Sequence, residues 1–447
     1  MLEQGLSALA AALADGRTTS AELTARALDA AATGEGPVAF MTLHAERARA
    51  EAEGLDALRR SGREARPFAG IPISIKDLFD EAGHVTTAGS KALADGEPAA
   101  LDAPIVDRLR RAGFVITGRT VMTEFAYSGL GLNPHYGTPA APWDRAAGRI
   151  PGGSTSGGAV SVADGMAAAT IGSDTGGSCR IPAAFCGITG FKPTMARVPR
   201  VGATPLSHSL DSIGPLGRSV DCCAVLDDIM AGGPGAGTMA APVRGLRLAA
   251  MTNYVTADMD DTVAGGYAAA LKRLTDAGAH VEEAAFPEID ALPSLNAAGG
   301  FAAADSYAWH RTLIADKGAL YDPRVIGRIE RGAMISAADY VDLMQARAAM
   351  QAAAAQSMGG YDAVLMPTVP IVPPALEVFE DDETYTRLNL LCLRNPSVAN
   401  FLDRPAISLR CHEPGAAPVG LMLMGHQGRD RALFDAAAGV EAALARH

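Results

Sequence analysis

Two Gly-Gly-Ser tripeptides, Gly152-Gly153-Ser154 and Gly176-Gly177-Ser178, stand in the middle of this chain and constrain it more than any other feature. Paired glycines let backbone N–H groups crowd around a ligand or a charged oxygen, because no Cβ blocks the approach. The first pair lies in Pro151-Gly152-Gly153-Ser154-Thr155-Ser156-Gly157-Gly158, the second in Gly172-Ser173-Asp174-Thr175-Gly176-Gly177-Ser178-Cys179-Arg180. Between them, residues 158–169 are nearly all small and suit a tightly packed helix, and Ala169-Thr170-Ile171-Gly172 reads as a buried strand. Two such loops joined by one short Ala-rich stretch imply a single site built from both, and therefore an enzyme.

The rest of the chain alternates helix and strand. Leu2, Leu6, Leu9 and Leu13 recur at helical spacing, and Thr19-Ser20-Ala21-Glu22 fits a capping box that opens a second helix to about residue 32. An Ala/Glu/Arg helix is expected from about 44 to 60. Ile71-Pro72-Ile73-Ser74-Ile75-Lys76 alternates strictly, with isoleucines on one face and Pro72, Ser74 and Lys76 on the other, as in a half-buried strand. Residues 102–112 read as helix, 114–118 as strand and 121–153 as a long Gly- and Pro-rich loop, of the kind that often carries function. After a linker candidate at 231–241 come strand 246–251, helix 260–277 and strand 280–283. Strands at 363–366, 406–410 and 419–424 and a closing helix at 430–444 follow. Alternation over 447 residues without an internal repeat predicts one large α/β sandwich.

Several function classes are disfavoured by composition. The net charge of −12, with no basic patch, argues against nucleic acid and against anionic lipid as partners. The N-terminus has no basic region ahead of an apolar run, and no apolar run reaches bilayer-spanning length, so the reading is a cytoplasmic protein without a membrane segment. Six cysteines form no Cys-x-x-Cys pair, and reduced, buried thiols are expected. There is no His-x-x-x-His, no His/Cys cluster, no phosphate loop and no dinucleotide fingerprint, so neither a metal nor another cofactor is expected.

The serines need a base. A Ser-His-Asp triad is weakened by the lack of a Gly-x-Ser-x-Gly elbow and by nine scattered histidines, although triad members need only meet in space. Lysine is scarce: of 38 basic residues only Lys76, Lys91, Lys192, Lys272 and Lys317 are lysines. Spacing alone favours Lys76 as an edge-strand lysine reaching solvent, as most lysines do. A catalytic role needs it buried, because only a neutral amine accepts a proton, and burial can lower a lysine pKa by about 3–5 units.

The whole constellation resembles the amidase signature family. Gly70-Ile71-Pro72-Ile73-Ser74-Ile75-Lys76-Asp77 looks like its lysine motif, Gly152-Gly153-Ser154 its first serine loop and Asp174-Thr175-Gly176-Gly177-Ser178 its nucleophile loop, with 24 residues from Ser154 to Ser178. The likeness continues through Arg180-Ile181-Pro182-Ala183, Gly190-Phe191-Lys192-Pro193-Thr194, Ser209-Leu210-Asp211-Ser212-Ile213-Gly214-Pro215 and Pro418-Val419-Gly420-Leu421. It implies one large α/β/α sandwich with a central mixed β-sheet, a single domain over 1–447 with a helical part at 1–65, a signature core at 66–220 and a variable, substrate-facing part at 240–400.

The resemblance also implies residue roles: Ser178 as nucleophile, Ser154 as bridging acid/base after a cis peptide, and Lys76 as terminal base. The backbone N–H groups of Thr175, Gly176, Gly177 and Ser178 would form an oxyanion hole, where the ordinary alternative is a tight turn. Asp174 and Arg180 would brace the loop, and Cys179 and Lys192 would be structural. Asn133-Pro134-His135-Tyr136-Gly137 resembles the anchor after a substrate-facing loop, which places Ala126, Tyr127 and Ser128 near the nucleophile. Trp309 and His310 are candidates for the acyl pocket, with core packing as the alternative.

Two departures stand out. Gly-Gly-Ser-Thr-Ser replaces the more usual Gly-Gly-Ser-Ser-Gly, so Ser156 competes with Ser154. Ile181 stands where tRNA-linked amidotransferase subunits carry glutamine. The implied function is hydrolysis of the C–N bond of a small amide, with a homodimer as the candidate assembly and the small-molecule amide as the partner. The alternatives are a catalytically silent binding member of the family and the transamidation subunit of an amidotransferase.

Overall fold

The computed structural model describes residues 1–445. Its strands are β1 (Phe40–Leu43), β2 (Pro72–Lys76), β3 (Val115–Thr120), β4 (Ala169–Asp174), β5 (Thr189–Lys192), β6 (Ser212–Gly217), β7 (Arg247–Met251), β8 (His280–Ala284), β9 (Ala363–Pro367), β10 (Ala406–Arg410) and β11 (Gly420–Met424). All eleven join one mixed sheet in the order β1-β3-β2-β4-β6-β5-β10-β11-β9-β7-β8. Two parallel blocks, β3-β2-β4 and β9-β7-β8, are joined by a central antiparallel run, as expected for a mixed α/β sheet with helices against it.

β2 sits between β3 and β4, in parallel register with both. All five of its residues are buried, so the strict alternation at 71–76 does not mark a half-exposed strand. The isoleucines join the main core with Phe79, Ile105, Val106 and Ile116. The other face is closed by the helix Ser156–Ala163, where the Ser74 hydroxyl lies 3.0 Å from that of Ser161. Small residues make this possible: a Cβ on Gly157 would lie 2.2 Å from the Ala39 carbonyl oxygen.

Most expected elements are present. The first helix spans Leu6–Ala14, the capping box at Thr19 is complete, and the 44–60 helix spans Ala45–Arg60. Strands β7–β11 and the helices Asp261–Asp276 and Asp430–Leu444 match the expected segments. No helix among the described residues is long and apolar enough to cross a membrane. All six cysteines are free and buried.

Candidate active site

Parallel strands deliver their C-terminal ends to one edge, and loops leaving that edge build sites. Here β2 ends at Lys76 and β4 ends at Asp174, just before the second glycine loop. The Lys76 side chain is fully buried, and its Nζ lies 2.7 Å from Ser154 Oγ and 2.9 Å from Ser173 Oγ. Burial lowers its pKa from 10.5 to about 8, against the raising influence of Cys179, Asp174 and Asp211. The strand exit is held by Asp77, whose carboxylate accepts from buried Arg119 Nε at 2.7 Å.

Ser154 follows a cis peptide from Gly153. Its loop is stitched to the 123–129 segment: Thr123 N–H donates to the Ser154 carbonyl at 3.2 Å, and Gly153 N–H to the Gly129 carbonyl at 2.8 Å. Ser156 instead opens the following helix, with its hydroxyl 3.4 Å from the Val121 carbonyl. Lys76 therefore meets Ser154 and not Ser156.

The second loop is organised by Asp174. Its carboxylate accepts from the N–H groups of Gly177 (2.8 Å) and Cys179 (3.1 Å), from Arg180 Nε (3.0 Å) and Nη2 (2.8 Å), and from Asn400 Nδ2 (2.9 Å). Burial alone would raise its pKa, but the Arg180 guanidinium, the Asn400 bond and the charge of Lys192 hold it well below the usual carboxylate range. Gly177 takes φ 126°, a conformation that L side chains rarely adopt, and a Cβ there would lie 2.6 Å from Pro396 Cβ. Because its N–H is engaged by Asp174, Gly177 differs from the other three amides expected as oxyanion donors. The two serine loops touch through Thr155 N–H, which donates to the Ser178 carbonyl at 3.3 Å.

Arg180 and Asp174 are both fully buried, and removing one partner of such a pair strands the other charge. Arg180→Met is expected to lower unfolding free energy by about 3–5 kcal/mol. Urea unfolding measures this, and a variant as stable as the native protein would show that the pair does not brace the loop.

Two neighbouring groups, Cys179 and Lys192, face backbone carbonyls. Burial pushes the Cys179 thiol pKa far up, and its Sγ is 3.5 Å from the Gly214 carbonyl. Lys192 donates to the Pro193 carbonyl at 2.7 Å, and burial lowers its pKa to about 8.

The segment carrying Ala126, Tyr127 and Ser128 borders the first serine loop through the bonds of Thr123 and Gly129. Ala126 has φ 59°, the Tyr127 carbonyl accepts from Arg328 Nη1 at 2.6 Å, and Ser128 Oγ donates to Asn389 Oδ1 at 2.8 Å. Asn133 anchors the return, donating to the carbonyls of Gly89 (2.8 Å) and Met122 (2.7 Å). A cavity of about 480 Å³ opens beside this edge, lined by Leu78, Ser173, Arg200, Asp211 and Trp309 among others. Trp309 thus lines a cavity, whereas His310 turns inward, with Nδ1 2.8 Å from the Tyr321 hydroxyl.

Ser173, Asp211, Asn389, Asn400 and Arg328 take part in this architecture without having been singled out from sequence. Ser173 lay in the quoted glycine loop and Asp211 in the stretch from Ser209 to Pro215, whereas Asn389, Asn400 and Arg328 carried no local signal. Asp211 accepts from Thr175 Oγ1 at 2.6 Å, a contact that the folded chain alone reveals. Among the described residues one cluster has metal-ligand spacing, His44, Glu81 and His84. Its carboxylate already faces His44 (2.9 Å), Arg110 (2.6 Å) and Arg47, an environment too cationic for a metal ion.

This mixed sheet, with two glycine-serine loops at its parallel edge, is the amidase signature fold. It matches a crystal structure described as that of an amidase with a TM-score of 0.89 and 30% identity, over 98% of this chain and 99% of that one. The chain belongs to the Amidase family, whose model matches residues 22–434. It is 36% identical over 414 residues to a 2-amino-5-chloromuconic acid deaminase of Comamonas testosteroni, covering 91% of this chain and 88% of the relative. It is also 35% identical over 449 residues to a glutamyl-tRNA(Gln) amidotransferase subunit of Roseiflexus sp. (strain RS-1), covering 93% and 91%.

Proposed function

We propose that this chain is a serine amidohydrolase that cleaves the C–N bond of a small amide through an acyl-enzyme on Ser178. Ser178 Oγ attacks the amide carbon while its proton passes to Ser154, whose own proton passes to neutral Lys76. The negative oxygen of the tetrahedral intermediate is received by backbone N–H groups. Thr175, Gly176 and Ser178 are the principal donors, since the Gly177 amide faces Asp174. Lys76 returns the proton through Ser154 to the leaving nitrogen, the C–N bond breaks, and ammonia or an amine departs. Water then repeats the cycle, releasing the carboxylic acid. Ala126, Tyr127 and Ser128 border the acyl group in this reading, and Asp174 and Arg180 keep the donor loop in shape.

The observation that carries the proposal is the buried amine of Lys76, 2.7 Å from Ser154 Oγ, with its pKa lowered by burial to about 8. A general base works best when its pKa lies near the working pH. Release of ammonia from a panel of amides by the purified chain alone tests it. Activity without partner proteins separates it from a component of an amidotransferase, and inertness towards the whole panel and towards a fluorophosphonate would overturn it.

The choice between the first-loop serines is testable separately. Ser154→Ala is expected to cost about 10²–10⁴-fold in kcat, the range for a lost proton-transfer group. Ser156→Ala is expected to stay within about threefold of native, as its hydroxyl makes only one long bond to backbone. The reverse ranking in steady-state kinetics would reassign the bridge.

A further inference from the structure

We infer that the substrate carries a carboxylate besides its amide and that Arg200 is the residue that anchors it. The inference rests on the amidohydrolase reading above. Arg200 and Ser173 line the same cavity of about 480 Å³, and Ser173 bonds directly to Lys76 Nζ at 2.9 Å. A ligand in that cavity meets the guanidinium and Ser173, the hydrogen-bonded neighbour of Lys76, together; Ser178 does not line the cavity, so the amide end has to extend past Ser173 to reach it.

Arg200 is half-buried and makes one bond to protein, from Nη1 to the His208 carbonyl at 2.8 Å. A guanidinium has five N–H donors in a planar fork matched to a carboxylate, so most of this fork is unengaged. Asp211 also lines the cavity and feels the Arg200 charge, but its oxygens hydrogen-bond to other donors and not to the guanidinium. Oδ1 accepts from Thr175 Oγ1 (2.6 Å), and Oδ2 accepts from the N–H groups of Leu206 (2.9 Å) and Ser207 (3.1 Å). Among the described residues no carboxylate forms an ion pair with Arg200. The lining is mixed: Leu78, Val201, Ile213 and Trp309 offer apolar surface suited to methylenes, beside Thr204, His208 and Ser212. The cavity thus fits the monoamide of a short dicarboxylic acid.

The test compares succinamate with butyramide and with methyl succinamate, following ammonia release. Native protein is expected to favour succinamate in kcat/KM by about 10–100-fold, the worth of a charge-assisted hydrogen-bonded pair. Arg200→Met is expected to collapse that ratio towards one, mainly through KM, and Arg200→Lys to keep part of it. Succinate is expected to inhibit butyramide hydrolysis by the native protein competitively, and methyl succinate at least about 10-fold more weakly. The inhibition arm needs no variant to fold. A native preference for butyramide, or an unchanged ratio in a folded Arg200→Met protein, overturns the inference while leaving the amidohydrolase reading intact. Failure to hydrolyse any amide, with Ser178 unlabelled by a fluorophosphonate, overturns the amidohydrolase reading instead.

Discussion

Ser178→Ala is expected to lower amide turnover by about 10⁴-fold or more, while the protein unfolds at the same temperature as native. The loss is large because no nearby group can take over the attack. Ser154 is hydrogen-bonded to Lys76, and the Cys179 thiol is kept protonated by burial. What survives would be the backbone donors and substrate binding, which in a comparable serine site leave about 10³–10⁴-fold over water. The fold should tolerate the change, because alanine removes one oxygen and leaves no methylene cavity. Ammonia release and the mass of the fluorophosphonate adduct read the result. A variant that still turns over, or still takes the label, would move the nucleophile elsewhere.

Much of this arrangement was legible before folding, and the exceptions have physical causes. The glycine loops and the strands at 72–76, 115–120 and 169–174 announced themselves through pattern. β6 did not, because Ser212-Ile213-Gly214-Pro215-Leu216-Gly217 holds two glycines and a proline. Its strand state comes from pairing with β4 along its whole length. Lys76 misled the pattern for a related reason. Alternation reports a half-exposed strand only when one face meets water, and β2 is covered on both. Its burial was implied by family resemblance, not by spacing. The resemblance pointed to Asp174 and Arg180 as loop braces, but Asn400 was beyond reach: it and Asp174 are 226 positions apart, and nothing local marks either as the other's partner. The different surroundings of Ser154 and Ser156 were equally out of view, because backbone geometry turns one hydroxyl to Lys76 and the other to the Val121 carbonyl.

Lys76→Met is the second large effect, and it separates chemistry from stability. Turnover is expected to fall by about 10³-fold or more, since a general base contributes roughly 10²–10⁴ and the relay has no other terminus. In the native protein kcat/KM should rise as pH passes through about 8, where the Lys76 amine becomes neutral, and the variant's residual rate should lack that rise. The Lys76 contribution to stability changes with pH in the same direction. Burial lowers the folded pKa below the unfolded value of 10.5, so below about pH 8 the amine is charged in both states and the folded state bears the whole cost. Between about 8 and 10.5 the unfolded chain holds a proton at Lys76 that the folded chain lacks, and the Lys76 contribution to stability climbs with pH, by about 3 kcal/mol over that interval. Lys192, also lowered by burial to about 8, adds a slope of the same sign. The buried thiols of Cys179, Cys186, Cys223, Cys392 and Cys411, pushed up by burial, contribute the opposite sign from about pH 9, so the Lys76 share is read as the difference in urea stability between native protein and Lys76→Met, which should climb with pH between about 8 and 10.5. Near-native turnover in this variant would remove Lys76 from the mechanism, and an unaltered slope would mean that its amine is not titrating in the folded protein near pH 8.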